Sequence, residues 1–120
     1  MIKILFVDDD QNLLDGLKRG FYFDSKNWYT AYVNSGLNAL DKLSKEPFDI
    51  VVTDVRMPEM NGVELLLKIR ELYPNIVRII LSGFSDKETY KNALNVAHHY
   101  MSKPCKLEDL KSLFKKISTT

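Results

Sequence analysis

Asp8 and Asp9 follow one apolar run of the chain, Asp54 follows a second, Ser82 ends a third and Lys103 ends a fourth. Gathered in one cleft, three carboxylates repel one another. At ~4 Å and an effective dielectric of roughly 20, each close pair costs about 4 kcal/mol. Uptake of a proton or of a cation offsets that cost. A few hard oxygen ligands with room for water suit Mg²⁺. Lys103 adds a point charge and Ser82 a hydroxyl that can donate a hydrogen bond. A divalent cation, an ammonium and a hydroxyl make a receptor for a phosphoryl group. A carboxylate beside that receptor can itself be the nucleophile and form an aspartyl phosphate. The pivot is Ile50-Val51-Val52-Thr53-Asp54, an apolar run that leads straight into an acid.

These residues need a scaffold that places several strand ends together. Ile2 to Val7 reads as a buried strand, broken by Asp8-Asp9-Asp10. Leu13, Leu14, Leu17 and Phe21 recur at helical spacing. Trp28 to Val33 reads as an edge strand of mixed polarity. Asn34-Ser35-Gly36 opens a helix with Leu37, Leu40 and Leu43 inward, and Phe48 to Thr53 is the next strand. Leu65, Leu66, Ile69 and Leu72 mark a helix that Pro74 stops. Val77 to Leu81 is a strand, Tyr90, Ala93, Leu94 and Ala97 a weaker helix, and His99 to Ser102 a short strand. Leu107, Leu110, Leu113, Phe114 and Ile117 give the last helix. Strand and helix alternate five times, which predicts an α/β fold with a doubly wound parallel sheet and right-handed crossovers. A flavodoxin-like (βα)5 arrangement with strand order 2-1-3-4-5 brings all the C-terminal strand ends to one edge, where such sheets bind ligands.

The 120 residues predict one domain, residues 1–120. With 17 Lys+Arg against 16 Asp+Glu, no global field favours nucleic acid or an anionic membrane. The single cysteine, Cys105, forms no intrachain disulfide. The first apolar run is too short to span a membrane, and acids replace a signal-peptide cleavage site. The expected compartment is the reducing cytoplasm.

The pieces Val7-Asp8-Asp9, Asp54 through Gly62 with its Met57-Pro58, Ser82-Gly83 and Tyr100-Met101-Ser102-Lys103-Pro104 together resemble the receiver domain of two-component response regulators. The resemblance runs essentially end to end. It implies that Asp54 is the phosphoacceptor, charged by a histidine kinase or a histidine phosphotransfer protein. It implies Mg²⁺ held by Asp9, Asp54 and the backbone carbonyl of Arg56, with Asp8 acting through water. Lys103 pairs with the phosphoryl group, Ser82 moves to contact it, and Tyr100 turns inward behind Ser82. That switch alters the surface of the fourth helix, fifth strand and fifth helix. The Lys103-Pro104 bond is typically cis in the family. Arg56 and Phe84 occupy positions that flank the phosphoryl group, where their bulk should slow attack by water. Such a domain is not an enzyme beyond its own phosphorylation and dephosphorylation.

Plainer roles stand beside these. Asp10 is mainly a helix cap, Gly62 permits a backbone turn, and His98 and His99 are surface residues far from the site. Cys105 has no partner cysteine for redox work. Two other functions compete. Asp8-Asp9-Asp10-Gln11-Asn12 also resembles the haloacid-dehalogenase phosphatase signature with Asp8 as nucleophile, but Asn12 stands where a Thr is usual and no later acidic pair appears. A phosphorylation-independent interaction module on the same fold is the second. The output is not readable: a stand-alone receiver and part of a larger regulator both fit, and a dimer formed on phosphorylation stays open. The runs Ser82 to Asp86 and Ala97 to Cys105 look like receivers fused to HD-type output domains.

Overall fold

The computed structural model describes residues 1–83 and 87–119. Its strands are β1 (Ile2–Val7), β2 (Trp28–Val33), β3 (Ile50–Thr53), β4 (Val77–Ser82) and β5 (His99–Ser102). Its helices are α1 (Gln11–Phe21), α2 (Gly36–Lys45), α3 (Gly62–Leu72), α4 (Lys87–Val96) and α5 (Leu107–Ser118), with a 3₁₀ turn at Tyr22–Asp24. The five strands are parallel and ordered β2-β1-β3-β4-β5, as the alternation of elements requires.

Alternation within each strand splits the core in two. Ile4, Phe6, Ile50, Val52, Ile79 and Leu81 face α1 and α5, where Leu14, Leu17, Phe21, Leu110 and Phe114 meet them. Leu5, Val7, Val51 and Ile80 face α2, α3 and α4, against Ala39, Leu43, Leu65, Leu66, Ile69, Ala93 and Val96. Three leucines expected inside are exposed: Leu37, Leu72 and Leu94. In α2 the inward stripe is Gly36, Ala39 and Leu43, spaced three and four residues apart, and Leu37 falls about 100° away from it. In α4 Ala93 and Val96 form the stripe instead of Leu94, and Leu72 is the last residue of α3. Strand β3 begins two residues later than the apolar run suggests. Asp49 precedes it and is tied to β1 through Asp49 N–H to Lys3 O at 2.8 Å.

Register then sets the site. Val7 lies beside Thr53, and Ser82 beside Ser102. The Asp54 N–H donates to Val7 O at 3.0 Å, and the Lys103 N–H to Ser82 O at 3.0 Å. The residues that follow β1, β3 and β5 therefore leave the sheet at one level.

Candidate functional site

Asp8 is buried at 3% exposure, whereas Asp9 beside it is exposed. Asp8 Oδ1 accepts the Asp10 N–H at 2.9 Å, and its Oδ2 accepts from Lys103 Nζ at 2.8 Å. Asp10 turns the other way and caps α1, accepting from the N–H groups of Asn12 and Leu13. Asp54 Oδ1 accepts the Val55 N–H at 2.8 Å, and its Oδ2 lies 3.3 Å from Lys103 Nζ. Asp8, Asp9 and Asp54 each offer a carboxylate oxygen within 4.8 Å of the other two. One ammonium thus bridges two of three clustered carboxylates.

The electrostatics show what such a set lacks. Burial, set against the Lys103 and Asp10 hydrogen bonds, pushes the Asp8 carboxyl above its ordinary range. Burial alone would lower the Lys103 ammonium, but the hydrogen bond and charge of Asp8, then Asp54, leave it raised. Lys103 thus holds its proton tightly because two carboxylates face it, whereas burial raises Asp8 in spite of that ammonium. Three hard oxygen donors in reach of one another fit Mg²⁺.

The loop from β3 to α3 is built around Asp54. Glu59 takes a positive φ of 67°, whereas Gly62 does not. Gly62 serves a different need from the expected turn: a Cβ there would sit 2.0 Å from the Asp54 carbonyl oxygen. Its N–H donates to Val55 O at 2.8 Å. Asn61 and Glu64 then form a capping box that starts α3. Arg56 is exposed on the rim of a cleft of about 620 Å³, shared with Asp9, Met57, Pro58, Asn61 and Thr89.

Ser82 is buried at the end of β4. Tyr100 is half-buried, and its ring meets that of Tyr90 edge-on at 5.0 Å. The Lys103-Pro104 peptide is cis. Phe84 lies outside the described residues. The structure thus brings Asp8, Asp9, Asp54 and Lys103 together, with Arg56 on the adjoining rim. Burial, helped by Asp109, raises the Cys105 thiol, which favours its neutral form. His98 is exposed as expected, but its ring is engaged: Nδ1 accepts the Arg78 N–H at 2.9 Å.

Arg78 went unnoticed in the sequence. It is buried at the start of β4, and its Nε–H donates to the carbonyl of Val96, the last residue of α4, at 2.7 Å. The available signal was one cation inside the apolar run Val77-Arg78-Ile79-Ile80.

The chain matches the family described as response regulator receiver domain over residues 4–115. It is 37% identical over 119 residues to the transcriptional regulatory protein ZraR of Escherichia coli (strain K12), covering 96% of this chain and 26% of that one. It spans about a quarter to a third of the length of such curated relatives. A receiver domain protein (CheY-like) from Methanospirillum hungatei JF-1 superposes with a TM-score of 0.89 at 31% identity, covering 97% of this chain and 92% of that one. The response regulator protein TrrA from Thermotoga maritima, in complex with Mg²⁺-BeF, gives a TM-score of 0.83 at 28% identity, covering 97% and 98%.

Proposed function

Because this chain belongs to the response regulator receiver domain family, we propose that Asp54 is its phosphoacceptor and that residues 1–120 form one receiver. One observation carries the reading: the Asp54 carboxylate faces Lys103 Nζ at 3.3 Å within the three-carboxylate cluster. The Val55 N–H fixes Oδ1, which orients the carboxylate. An Asp54 oxygen attacks phosphorus in line, the O–P bond forms as the donor's N–P bond breaks, and the leaving imidazole nitrogen takes a proton. Lys103 faces the charge that develops on the phosphoryl oxygens. Asp9, Asp54 and the Arg56 carbonyl would hold Mg²⁺, with Asp8 acting through water. The ion supplies neutralisation of phosphoryl charge. Ser82 then bonds the phosphoryl group and Tyr100 follows it inward, altering the face of α4, β5 and α5.

The donor is a histidine kinase or a histidine phosphotransfer protein. The domain catalyses only its own phosphorylation and dephosphorylation, and it acts on a downstream effector or a fused output region of DNA-binding or HD type. Arg56, with Phe84, is assigned to shielding the phosphoryl group from water. Asp8 suits a phosphatase nucleophile less well than Asp54 suits a phosphoacceptor, since its side chain is 4% exposed against 12% and it holds Lys103 Nζ at 2.8 Å against 3.3 Å. Among the described residues no helix is long and apolar enough to cross a membrane.

Intact mass after incubation with acetyl phosphate and Mg²⁺ tests the proposal. One added phosphoryl group is expected, absent in Asp54→Asn and absent in chelator. Uptake that survives in Asp54→Asn and disappears in Asp8→Asn would overturn it.

A further inference from the structure

The open edge of the sheet at β2 carries features that the phosphoryl site does not use. Tyr22 and Phe23, in the 3₁₀ turn after α1, are 71% and 90% exposed, and their rings meet edge-on at 5.1 Å. Tyr29 on β2 is 39% exposed. These residues, with Lys18 and Lys26, line a cleft of about 670 Å³ that runs along Thr30 and Tyr32.

Among the described residues strand β2 pairs with β1 alone. Its Val33 carbonyl accepts the Asp8 N–H, so Val33, Ala31 and Tyr29 turn their backbone groups toward β1. By alternation, Thr30 and Tyr32 aim their N–H and C=O groups at the open edge. That is a template for an added strand, and aromatic rings flank it.

Charge selects the occupant. Among the described residues no Asp or Glu lines the cleft; Glu46, which the Tyr29 hydroxyl meets at 3.5 Å, is paired with Lys3 and Lys42, and Asp24 is paired with Lys111 at 2.7 Å. The rim is therefore locally cationic in a chain whose net charge is only +1. Lysines on an edge also serve to deter pairing between copies. That role explains Lys18 and Lys26 but leaves a nearly bare phenylalanine without purpose. It also disfavours a second copy, which would bring the same lysines. Single-stranded nucleic acid would use the rings, but two cations neutralise only about two phosphates and release few counterions. We propose that the cleft along β2 docks an acidic, extended peptide segment of a partner protein, which adds to the sheet as a sixth strand and lays an apolar side chain on Tyr22 and Phe23.

The probe is a blocked six-residue peptide alternating glutamate with valine and phenylalanine, titrated into the ¹⁵N-labelled full chain. Saturable shifts in the β2 amides are expected, with slowed hydrogen exchange at the Thr30 and Tyr32 N–H groups. The same peptide with lysine for glutamate should bind at least tenfold more weakly. Lys18→Glu with Lys26→Glu should weaken the acidic peptide at least tenfold, and Phe23→Ser should do so separately. All these side chains are at the surface, so phosphoryl uptake at Asp54 should stay unchanged and report that the variants fold. Four outcomes overturn the proposal: no β2 shifts at millimolar peptide, equal binding of the lysine version, tighter binding of oligo-dT than of the peptide, or concentration-dependent self-association through the same amides.

Discussion

Lys103 and Arg78 occupy opposite ends of the β4–β5 strand pair, and each is a cation drawn out of water. Lys103 follows β5 and lies beside carboxylates, with Asp8 at 2.8 Å and Asp54 at 3.3 Å. Arg78 opens β4 with no carboxylate paired to it among the described residues, bonding instead the Val96 carbonyl at 2.7 Å and Ile76 O at 3.5 Å. Arg70 adds a contact to the neighbouring carbonyl of Asn95 at 3.4 Å. Two guanidinium groups thus sit at the negative end of the α4 dipole. The shifts differ in sign: Lys103 is raised by its carboxylates against burial, and Arg78 is lowered by burial and by Arg70. Carboxylates can trade an ammonium for another cation or respond to a new anion. Carbonyls fixed by a helix end cannot. The C-terminal edge of the sheet sets a cation among opposing charges, and the N-terminal edge sets one on the carbonyls that end α4.

The sharpest way to break this contrast is to remove each cation in turn. Arg78→Met leaves a buried carbonyl unpaired, and about 3 kcal/mol of stability should be lost. Urea unfolding should show the same loss with and without Mg²⁺. Lys103→Met removes the partner of Asp8 and Asp54. The loss in chelator should be smaller, about 2 kcal/mol, because the Lys103 side chain retains 22% exposure. Measured against the unaltered chain at the same Mg²⁺, that loss should shrink, because without the competing ammonium the carboxylates bind the ion more tightly, and each tenfold gain in affinity returns about 1.4 kcal/mol. Failure of Mg²⁺ to rescue Lys103→Met, or rescue of Arg78→Met, would erase the distinction. A smaller effect sharpens it: Asp9→Asn alters an exposed side chain, so metal-free stability should shift by less than about 0.5 kcal/mol. Mg²⁺ should raise the Tm of the unaltered chain, and the same variant should lose most of that rise.

The two ends were also unequally legible in the sequence. Strands buried on both faces need nearly continuous apolar runs, so β1, β3 and β4 announce themselves in spite of Lys3 and Arg78, and so do the acids and the serine that end them. Parallel topology then puts Asp8, Asp54 and Lys103 together without further information. Arg78 was opaque because its partner is a helix end eighteen residues later, at Val96, which no local pattern marks. Gly62 was visible, but its reason was not: a Cβ there would collide with the Asp54 carbonyl, and only the folded loop shows that approach. The exposure of Leu37 and Leu94 was hidden for a related reason. Neighbouring apolar residues on a helix leave the inward face ambiguous until the sheet beneath is in place.

The smallest expected effect concerns the hydrogen bond that closes the N-terminal end. His98 Nδ1 accepts the Arg78 N–H at 2.9 Å, which requires an unprotonated Nδ1. Burial, then the charges of Arg78 and His99, hold the His98 imidazole below its ordinary value. The unfolded chain binds this proton near pH 6.5, while the folded chain resists it until lower pH. Stability from His98 is therefore present above about pH 6.5, falls as pH drops through the window below it, and levels off once the folded ring titrates. In His98→Gln the side-chain amide oxygen can accept the same N–H and does not titrate. Unfolding free energies from about pH 7 to about pH 5 should show a shallower decline in His98→Gln than in the unaltered chain. All other groups are common to the two proteins, so the difference isolates His98. In Arg78→Met the loss of the neighbouring cation should move the His98 titration, followed by NMR, back up toward its ordinary value. Superimposable slopes with an unmoved titration would mean that His98 is a bystander to the Arg78 anchor.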